Sequence, residues 1–510
     1  MSAYDVYVIS PHLAMAGVAI LVILLDLVLQ KKALLPVFAF AGLLVPLALL
    51  VVQLLDLKDA SDLVRVADPL SGGSASVLLG SLSIDRFALF FDFLVLAATM
   101  LVVVASVDYV RQMERFQGEY FGLILFSATG MMLLASATEL ITIYIALELT
   151  TLPLAALAAF LNTRRSSEAG MKFLIIGAIS SAIMLYGMAL VYGFSGTTEL
   201  AGIADRVKDV SGGLDSSNLV LLVGVVLLLV GFGFKISAVP FHMWVPDIYE
   251  GAPTPVVAFL SVASKAAAFA VLLRVFYTGF FDIGLDWAAL MAWLAAASMT
   301  IGNLVAIGQI NIRRLFGYSA IAHAGYLLVG VAAGIKNSGV DLATPEFVSL
   351  GPNSVLFYLG AYAAANLAAF FAIIAISNRI GSDLIDDYAG IARRAPFLAV
   401  ALALALIALI GVPPTSIFIA KLYIFTAAVK SGLVWLAVLG VINSAVSAYY
   451  YIRIIRIMFL QPALSQAPIG MSPASWFALI VATGATLGIG IAPGYVLNAA
   501  ETAVKALLVV

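Results

Sequence analysis

The stretch GFGFKISAVPFHMWVPD, residues 231–247, decides the fold of this chain. It ends an apolar run long enough to cross a bilayer, yet it places Lys235 and Pro240 at membrane depth. Because proline lacks a backbone N–H and clashes with the carbonyl four residues earlier, Pro240 interrupts the helix and frees the carbonyl of Ile236. In lipid such a carbonyl needs another partner, so a broken helix faces protein or a water-lined cavity. The stretch therefore predicts a membrane helix that is broken inside a bundle.

A second stretch, ALIGVPPTSIFIAKLYIF at residues 408–425, repeats this combination of glycine, proline and lysine. Here Pro414 frees the carbonyl of Ile410, and Lys421 follows seven residues after the proline. Matching broken helices in two halves of a membrane protein are the usual indication of an ion pathway. The two stretches are the strongest sign of internal symmetry in the chain.

The composition is that of a polytopic, all-α membrane protein, with 63% hydrophobic residues, 11% charged residues and a mean hydropathy of +1.12. A net charge of −2 provides no basic field for nucleic acid. The absence of cysteine excludes disulfides and thiolate-held metals, and the three histidines lack ligand spacing, so we expect no metal site. Apolar runs predict about fourteen transmembrane helices: 11–30, 34–55, 84–107, 119–137, 140–161, 170–194, 218–245, 253–278, 285–308, 315–335, 353–378, 396–429, 433–460 and 474–495.

Basic residues set the expected orientation. Pairs such as Arg164–Arg165 and Arg313–Arg314 lie close to helix ends in alternate loops, whereas the basic residues of the other loops, Arg274 among them, are scattered among acidic ones. The positive-inside rule then places both termini on the outer side, which in a bacterial inner membrane is the periplasm. The outer loops 56–83, 195–217 and 336–352 are expected to be short polar excursions.

Charged residues inside the apolar runs are the candidate functional groups. They are Glu148, Lys172, Lys235, Lys265 and Lys421. A lysine in the bilayer interior costs roughly 2.5–3.5 kcal/mol even on the lenient insertion scale, so retained charges predict a use, and proton transfer through a series of titratable groups is the expected one. For Glu148 the alternative is a buried acid that serves packing. Lys172 lies near the inner end of its span, where its side chain can also reach the headgroups.

Two histidines, one aspartate and one run of tyrosines are the other polar residues of interest in the apolar runs. His242 and His323 are candidates for auxiliary proton transfer, because imidazole titrates near neutral pH, although a membrane histidine often serves only as a helix–helix contact. Asp92 is expected to make a structural polar contact. The run Tyr449–Tyr451 is interpreted as an interfacial aromatic belt.

Four stretches carry a family resemblance: 118–149, 231–274, 309–330 and 447–460. They are similar to the subunit N family of proton-pumping NADH–quinone oxidoreductase, respiratory complex I, from about residue 80 to about residue 460. The resemblance implies fourteen transmembrane helices, of which helices four to eight and nine to thirteen form two inverted repeats. The implied segments are an N-terminal three-helix segment (1–115), the repeats (116–280 and 281–460) and a C-terminal helix (461–510).

The same resemblance assigns a proton relay. The glutamate of the fifth helix matches Glu148, the lysines of the seventh and eighth helices match Lys235 and Lys265, and the lysine of the broken twelfth helix matches Lys421. It implies no redox cofactor in this chain, internal water along the relay, and partners that include the antiporter-like subunit M and small subunits such as K. Around the second break, however, Ser416, Ile417 and Ala420 depart from the family's glycines.

Three other functions stay open at this point. One is a cation/proton exchanger subunit of a multisubunit sodium/proton antiporter, which needs the same buried groups. Another is the equivalent subunit of a ferredoxin-fed photosynthetic or archaeal complex, which the motif FKISAVPFH at residues 234–242 fits about as well. A purely structural spacer is disfavoured, because four buried lysines would then be kept without use.

Overall fold

The computed structural model describes residues 3–57, 75–77, 80–111, 113, 116–208, 218–334, 345–463 and 469–508, without the side chains of 3–4, 75–77, 284–286 and 345–348. Much of each predicted outer loop, together with the loop residues Lys58, Arg65, Arg115 and Lys336, lies outside these ranges.

The described chain is a bundle of helices. They are α1 (Ala3–Val28), α2 (Leu35–Asp56), α3 (Arg86–Ala105), α4 (Gln117–Ser136), α5 (Leu140–Ala158), α6 (Arg164–Ser195), α7a (Leu219–Ile236), α7b (Trp244–Gly251), α8 (Thr254–Gly279), α9 (Gly284–Ile307), α10 (Ile312–Ala333), α11 (Pro345–Ile380), α12a (Pro396–Ile410), α12b (Ser416–Lys430), α13 (Val434–Leu460), α14 (Pro473–Ile491) and α15 (Gly494–Leu508). Shorter helices span Lys32–Leu34, Val107–Val110, Leu200–Lys208, Phe281–Ile283, Ile385–Tyr388 and Ile391–Arg394, and strands β1 (Ala75–Val77) and β2 (Leu82–Ile84) pair antiparallel.

Among the described residues, thirteen helices are long and apolar enough to cross a membrane, and this confirms an all-α integral membrane protein. The remaining predicted span, 396–429, is divided into α12a and α12b, each of 15 residues. Polar side chains fix several helix starts. Thr163 accepts from the Ser166 backbone N–H and begins α6 six residues before the predicted start, because a capped turn extends the helix beyond its apolar run.

Both predicted helix breaks are present, and they have the same form. α7a ends at Ile236, Ser237 takes a left-handed conformation with φ of 68°, and the turn contains the cis peptide bond Val239–Pro240. α12a ends at Ile410, Gly411 has φ of 90°, and the turn contains the cis bond Pro413–Pro414. Each turn interrupts the hydrogen bonding of its helix inside the bundle, as the proline positions predicted.

Close helix approach at the second break comes from a residue that the sequence did not indicate. A Cβ atom at Gly490 of α14 would lie 2.0 Å from the Pro414 carbonyl oxygen, so only glycine fits there. Ser416, Ile417 and Ala420, which stand where the family has glycines, are all buried. The close packing of helices that those glycines would allow is therefore made possible here by Gly490 of α14, which contacts the backbone of the break.

The centre of the bundle consists of α8, α10 and α11. In each of them 94% of the most apolar segment is buried, against 33–44% in α1, α2, α6, α13 and α14, which form the periphery. A helix that is apolar on all sides belongs in a membrane interior or a large core. The polar residues of α8 and α10 are consequently held far from solvent.

Candidate functional site

Lys265 lies at the middle of α8, directly after a π-helical turn at Leu260–Ser264. Its side chain is 4% exposed, and Nζ donates to the Ala320 carbonyl of α10. Nζ also lies 5.5 Å from the ring centroid of Tyr362. π-turns interrupt the regular helix and are frequent at functional sites. This turn places an ammonium group against two neighbouring helices, and no carboxylate of the described residues pairs with it.

Lys421 lies in α12b, and its side chain reaches back to the break of the twelfth helix. Nζ donates to the carbonyl oxygen of Ile410 at 2.8 Å and to that of Leu409 at 3.3 Å, and it lies 4.6 Å from the Tyr326 ring centroid. The side chain is 5% exposed. The carbonyl that Pro414 frees thus receives its replacement donor from the candidate relay residue itself.

His323 lies between these two lysines. Its Nδ1 is 2.7 Å from the Tyr358 hydroxyl, and its ring is 4.9 Å from that of Tyr362 and 5.7 Å from that of Tyr326. Because Tyr362 faces Lys265 and Tyr326 faces Lys421, the five side chains Lys265, Tyr362, His323, Tyr326 and Lys421 form one contiguous group, which we call the central cluster.

Glu148 and Lys235 are close to each other in the fold but do not form a direct ion pair. Ser181 of α6 donates to Glu148, whereas Lys235 donates to the Thr151 hydroxyl, one turn along α5 from Glu148. Both charged side chains are only partly buried. The arrangement is a carboxylate and an ammonium group that each bond a neutral hydroxyl.

His242 and Lys172 stand apart from the central cluster. His242 follows Pro240 in the first break, is half-buried, and its Nδ1 has no hydrogen-bond partner among the described residues. Lys172 pairs with Glu168 and Asp247, each at 2.8 Å, and its side chain is 42% exposed. Lys172 therefore lies at the surface of the bundle, paired with two carboxylates.

Lys172 belongs to a surface network that holds α7b. Asp247 pairs with Lys172 and, at 2.9 Å, with Arg314, and Arg314 also pairs with Glu250 at 3.0 Å. Burial by itself raises the pKa of Asp247. Hydrogen bonds from Lys172 and Arg314 outweigh this effect and keep the pKa below its ordinary value. This network fixes the short helix after the break to α6 and α10.

Two sequence interpretations are wrong. Arg274 was grouped with loop residues, but it is 1% exposed and pairs in a bidentate manner with Asp85 at 2.9 and 3.0 Å. The tyrosine run is not an exposed aromatic belt, because Tyr450 and Tyr451 are fully buried and only Tyr449 is exposed. Tyr450 donates to Asn303 at 2.9 Å, so these rings face the bundle.

Comparisons with known proteins agree with this architecture. Residues 137–447 match the family model described as NADH:quinone oxidoreductase/Mrp antiporter, TM. The chain is 44% identical to a NADH-quinone oxidoreductase subunit N of Dehalococcoides mccartyi, over 84% of this chain and 88% of that one.

Two solved structures extend the comparison. A chain of Thermus thermophilus respiratory complex I is similar with a TM-score of 0.75 and 30% identity, covering 96% of this chain and 98% of that chain. A chain of the Mrp complex of Dietzia shares the fold, with a TM-score of 0.80, 22% identity, and coverage of 100% of this chain and 98% of that chain.

Proposed function

The chain belongs to the NADH:quinone oxidoreductase/Mrp antiporter family and is a subunit N type of membrane subunit, and from this membership we propose that it carries protons across the bilayer. The proposed path runs from Glu148 and Lys235 through Lys265 and His323 to Lys421. Electron transfer from NADH to quinone takes place in other subunits of the assembly.

The central cluster is the observation that carries the proposal. Lys265 and Lys421 are 4% and 5% exposed, and no carboxylate pairs with either in the described part of the chain. An ammonium group without a counter-charge is destabilised by the free energy of desolvation in a low-dielectric interior. Release of its proton removes this destabilisation. His323 and the hydroxyl of Tyr358 supply groups that can accept and donate between the two amines.

Glu148 and Lys235 form the proposed control point. With Glu148 bonded to Ser181 and Lys235 to Thr151, the ammonium group lacks its closest counter-charge. In this separated state Lys235 gives its proton to a neutral Lys265, with internal water bridging the amines. The proton then passes by way of His323 to Lys421, which releases it, and direct pairing of Glu148 with Lys235 restores the ammonium form from bulk water.

The energies are compatible with this scheme. Moving one elementary charge through 100 mV requires about 2.3 kcal/mol. Breaking an ion pair that the bundle shields from water changes the free energy by an amount of this order. One rearrangement of Glu148 and Lys235, driven by redox chemistry elsewhere in the assembly, is therefore sufficient for one proton.

The proposed setting is a bacterial inner membrane, with both termini on the periplasmic side and neighbouring membrane subunits of the M and K types. The support is the loop charge pattern together with the resemblance of the whole chain to a subunit of complex I.

A variant of the assembled complex tests the function. We expect Lys235→Met to lower both proton translocation and quinone reductase turnover in membrane vesicles, because the control point loses its proton donor. Lys505→Met is the matched control, since Lys505 lies on the surface with its side chain 67% exposed. Undiminished pumping with normal reductase turnover in Lys235→Met would remove Lys235 from the mechanism.

A further inference from the structure

A second buried pair of titratable groups lies in the N-terminal segment, away from the lysines. His12 of α1 and Asp92 of α3 are 3% and 0% exposed, and His12 Nε2 lies 3.7 Å from Asp92 Oδ2. Neither ring nitrogen and neither carboxylate oxygen has a hydrogen-bond partner among the described residues. The Met132 carbonyl of α4 lies beside the imidazole without reaching hydrogen-bond geometry.

Four orphaned polar atoms in one buried place need an explanation. Buried polar groups are nearly always hydrogen-bonded, and a buried carboxylate without partners is among the most costly arrangements in a protein. The distance of 3.7 Å exceeds a hydrogen bond, yet a small side-chain rotation would close it. The two side chains can therefore form a hydrogen bond with each other only when a proton lies between the ring nitrogen and the carboxyl oxygen.

The neighbouring charges favour the neutral form of this pair. Asp85 precedes Asp92 by seven residues, which places both on one face of α3 about 10 Å apart along the axis. Arg274 is the cation that faces Asp92, and it is already engaged in a bidentate pair with Asp85. Gln53 of α2 donates to Tyr7 and Val8 carbonyls, so its amide nitrogen is occupied. Among the described residues, Arg274 is thus the one cation that acts on Asp92, and it is shared with Asp85.

We propose that His12 and Asp92 form a proton-binding site. In this site the Asp92 carboxyl group is protonated and donates a hydrogen bond to a neutral His12. The site is separate from the central cluster and does not depend on the proposed relay. It gives the three N-terminal helices their own group that can hold a proton inside the bundle, at the end where α3 begins. The hydrogen bond would also give a partner to one ring nitrogen of His12 and to one carboxyl oxygen of Asp92.

Difference infrared spectroscopy of the intact assembled complex tests the site. A protonated carboxyl group absorbs in a region separate from carboxylates, and its band shifts in D2O. We expect Asp92→Asn to remove one such band. Asp108→Asn is the matched control. Burial raises the pKa of Asp108, but hydrogen bonds from Ser472 and Ser475 lower it more, so that the pKa lies below its ordinary value. Asp108 is therefore ionised, and its replacement should leave the band intact.

A second variant keeps the proposal falsifiable if Asp92→Asn does not assemble. His12→Phe retains the acid but removes its acceptor, so the carboxyl band must move to higher frequency. Lys265→Met must leave the band unchanged, which separates this proposal from the relay. The inference is overturned if the protonated-carboxyl region is the same in Asp92→Asn and the parent protein, or if His12→Phe leaves the band unshifted.

Discussion

Lys421 Nζ lies 2.8 Å from the carbonyl oxygen of Ile410, the group that loses its helical donor to Pro414. The lysine that we propose as the last relay residue therefore also completes the hydrogen bonding of the helix break. In the proposed relay, a proton leaving Lys421 would change a charge-assisted hydrogen bond into a weaker neutral one, which would couple transport to the conformation of the break.

This double role predicts different outcomes for two substitutions. Lys421→Met leaves the Ile410 and Leu409 carbonyls without a donor, at about 1–3 kcal/mol for an unsatisfied buried group, so assembly and pumping should both fall. Lys421→Arg keeps donors but does not release a proton, so the complex should assemble and fail to pump. Complex yield and vesicle acidification measure the two effects. Normal pumping by assembled Lys421→Arg would contradict the relay role.

Gly490 is predicted to be essential for the second break. A methyl group there would meet the Pro414 backbone at 2.0 Å, and overpacking of this kind costs typically 1–3 kcal/mol. We expect Gly490→Ala to lower the thermal stability of the purified complex. Gly488→Ala, on the same helix with open space around it, is the control and should have no such effect. Equal stability of the two variants would rule out the close approach.

The Arg274–Asp85 pair is predicted to anchor the N-terminal segment to α8. Removing one partner of a buried ion pair costs about 3–5 kcal/mol, so Arg274→Met should strongly reduce assembly. The double variant Arg274→Met with Asp85→Leu removes both charges and should recover part of the loss. Arg206→Met, at an exposed site, serves as control. A double variant as impaired as the single one would show that the pair does not act as a unit.

The surface network at α7b has a pH signature. Because the pKa of Asp247 is held below its ordinary value of 3.8 in the folded chain, the carboxylate stabilises the fold above that value and loses its contribution as pH falls. Asp247→Asn should therefore lower stability by about 1 kcal/mol at neutral pH, a small amount because the group is partly exposed. In acid the two proteins should converge. A difference that persists at low pH would assign the effect to packing.

The helix breaks and the burial of Lys265 and Lys421 could be predicted because their signals are local. A proline or a charge inside an apolar run can be recognised from the few residues around it. The tyrosines of the central cluster could not, because α10 and α11 are buried on every side and their composition does not tell which ring faces which helix. Arg274 was misplaced for a related reason: it resembles any basic residue at a helix end, and its partner Asp85 is 189 residues away.

The most direct test of the account is the number of protons translocated per electron by the assembled complex carrying Lys265→Met. Lys265 is the one amine of the central cluster that lies on the helix next to Lys235, and its replacement removes the only titratable group of α8 between the control point and His323 in the described structure. We expect the ratio to fall while electron transfer to quinone continues at a reduced rate. A ratio equal to that of the Lys505→Met control would contradict proton transfer through the central cluster.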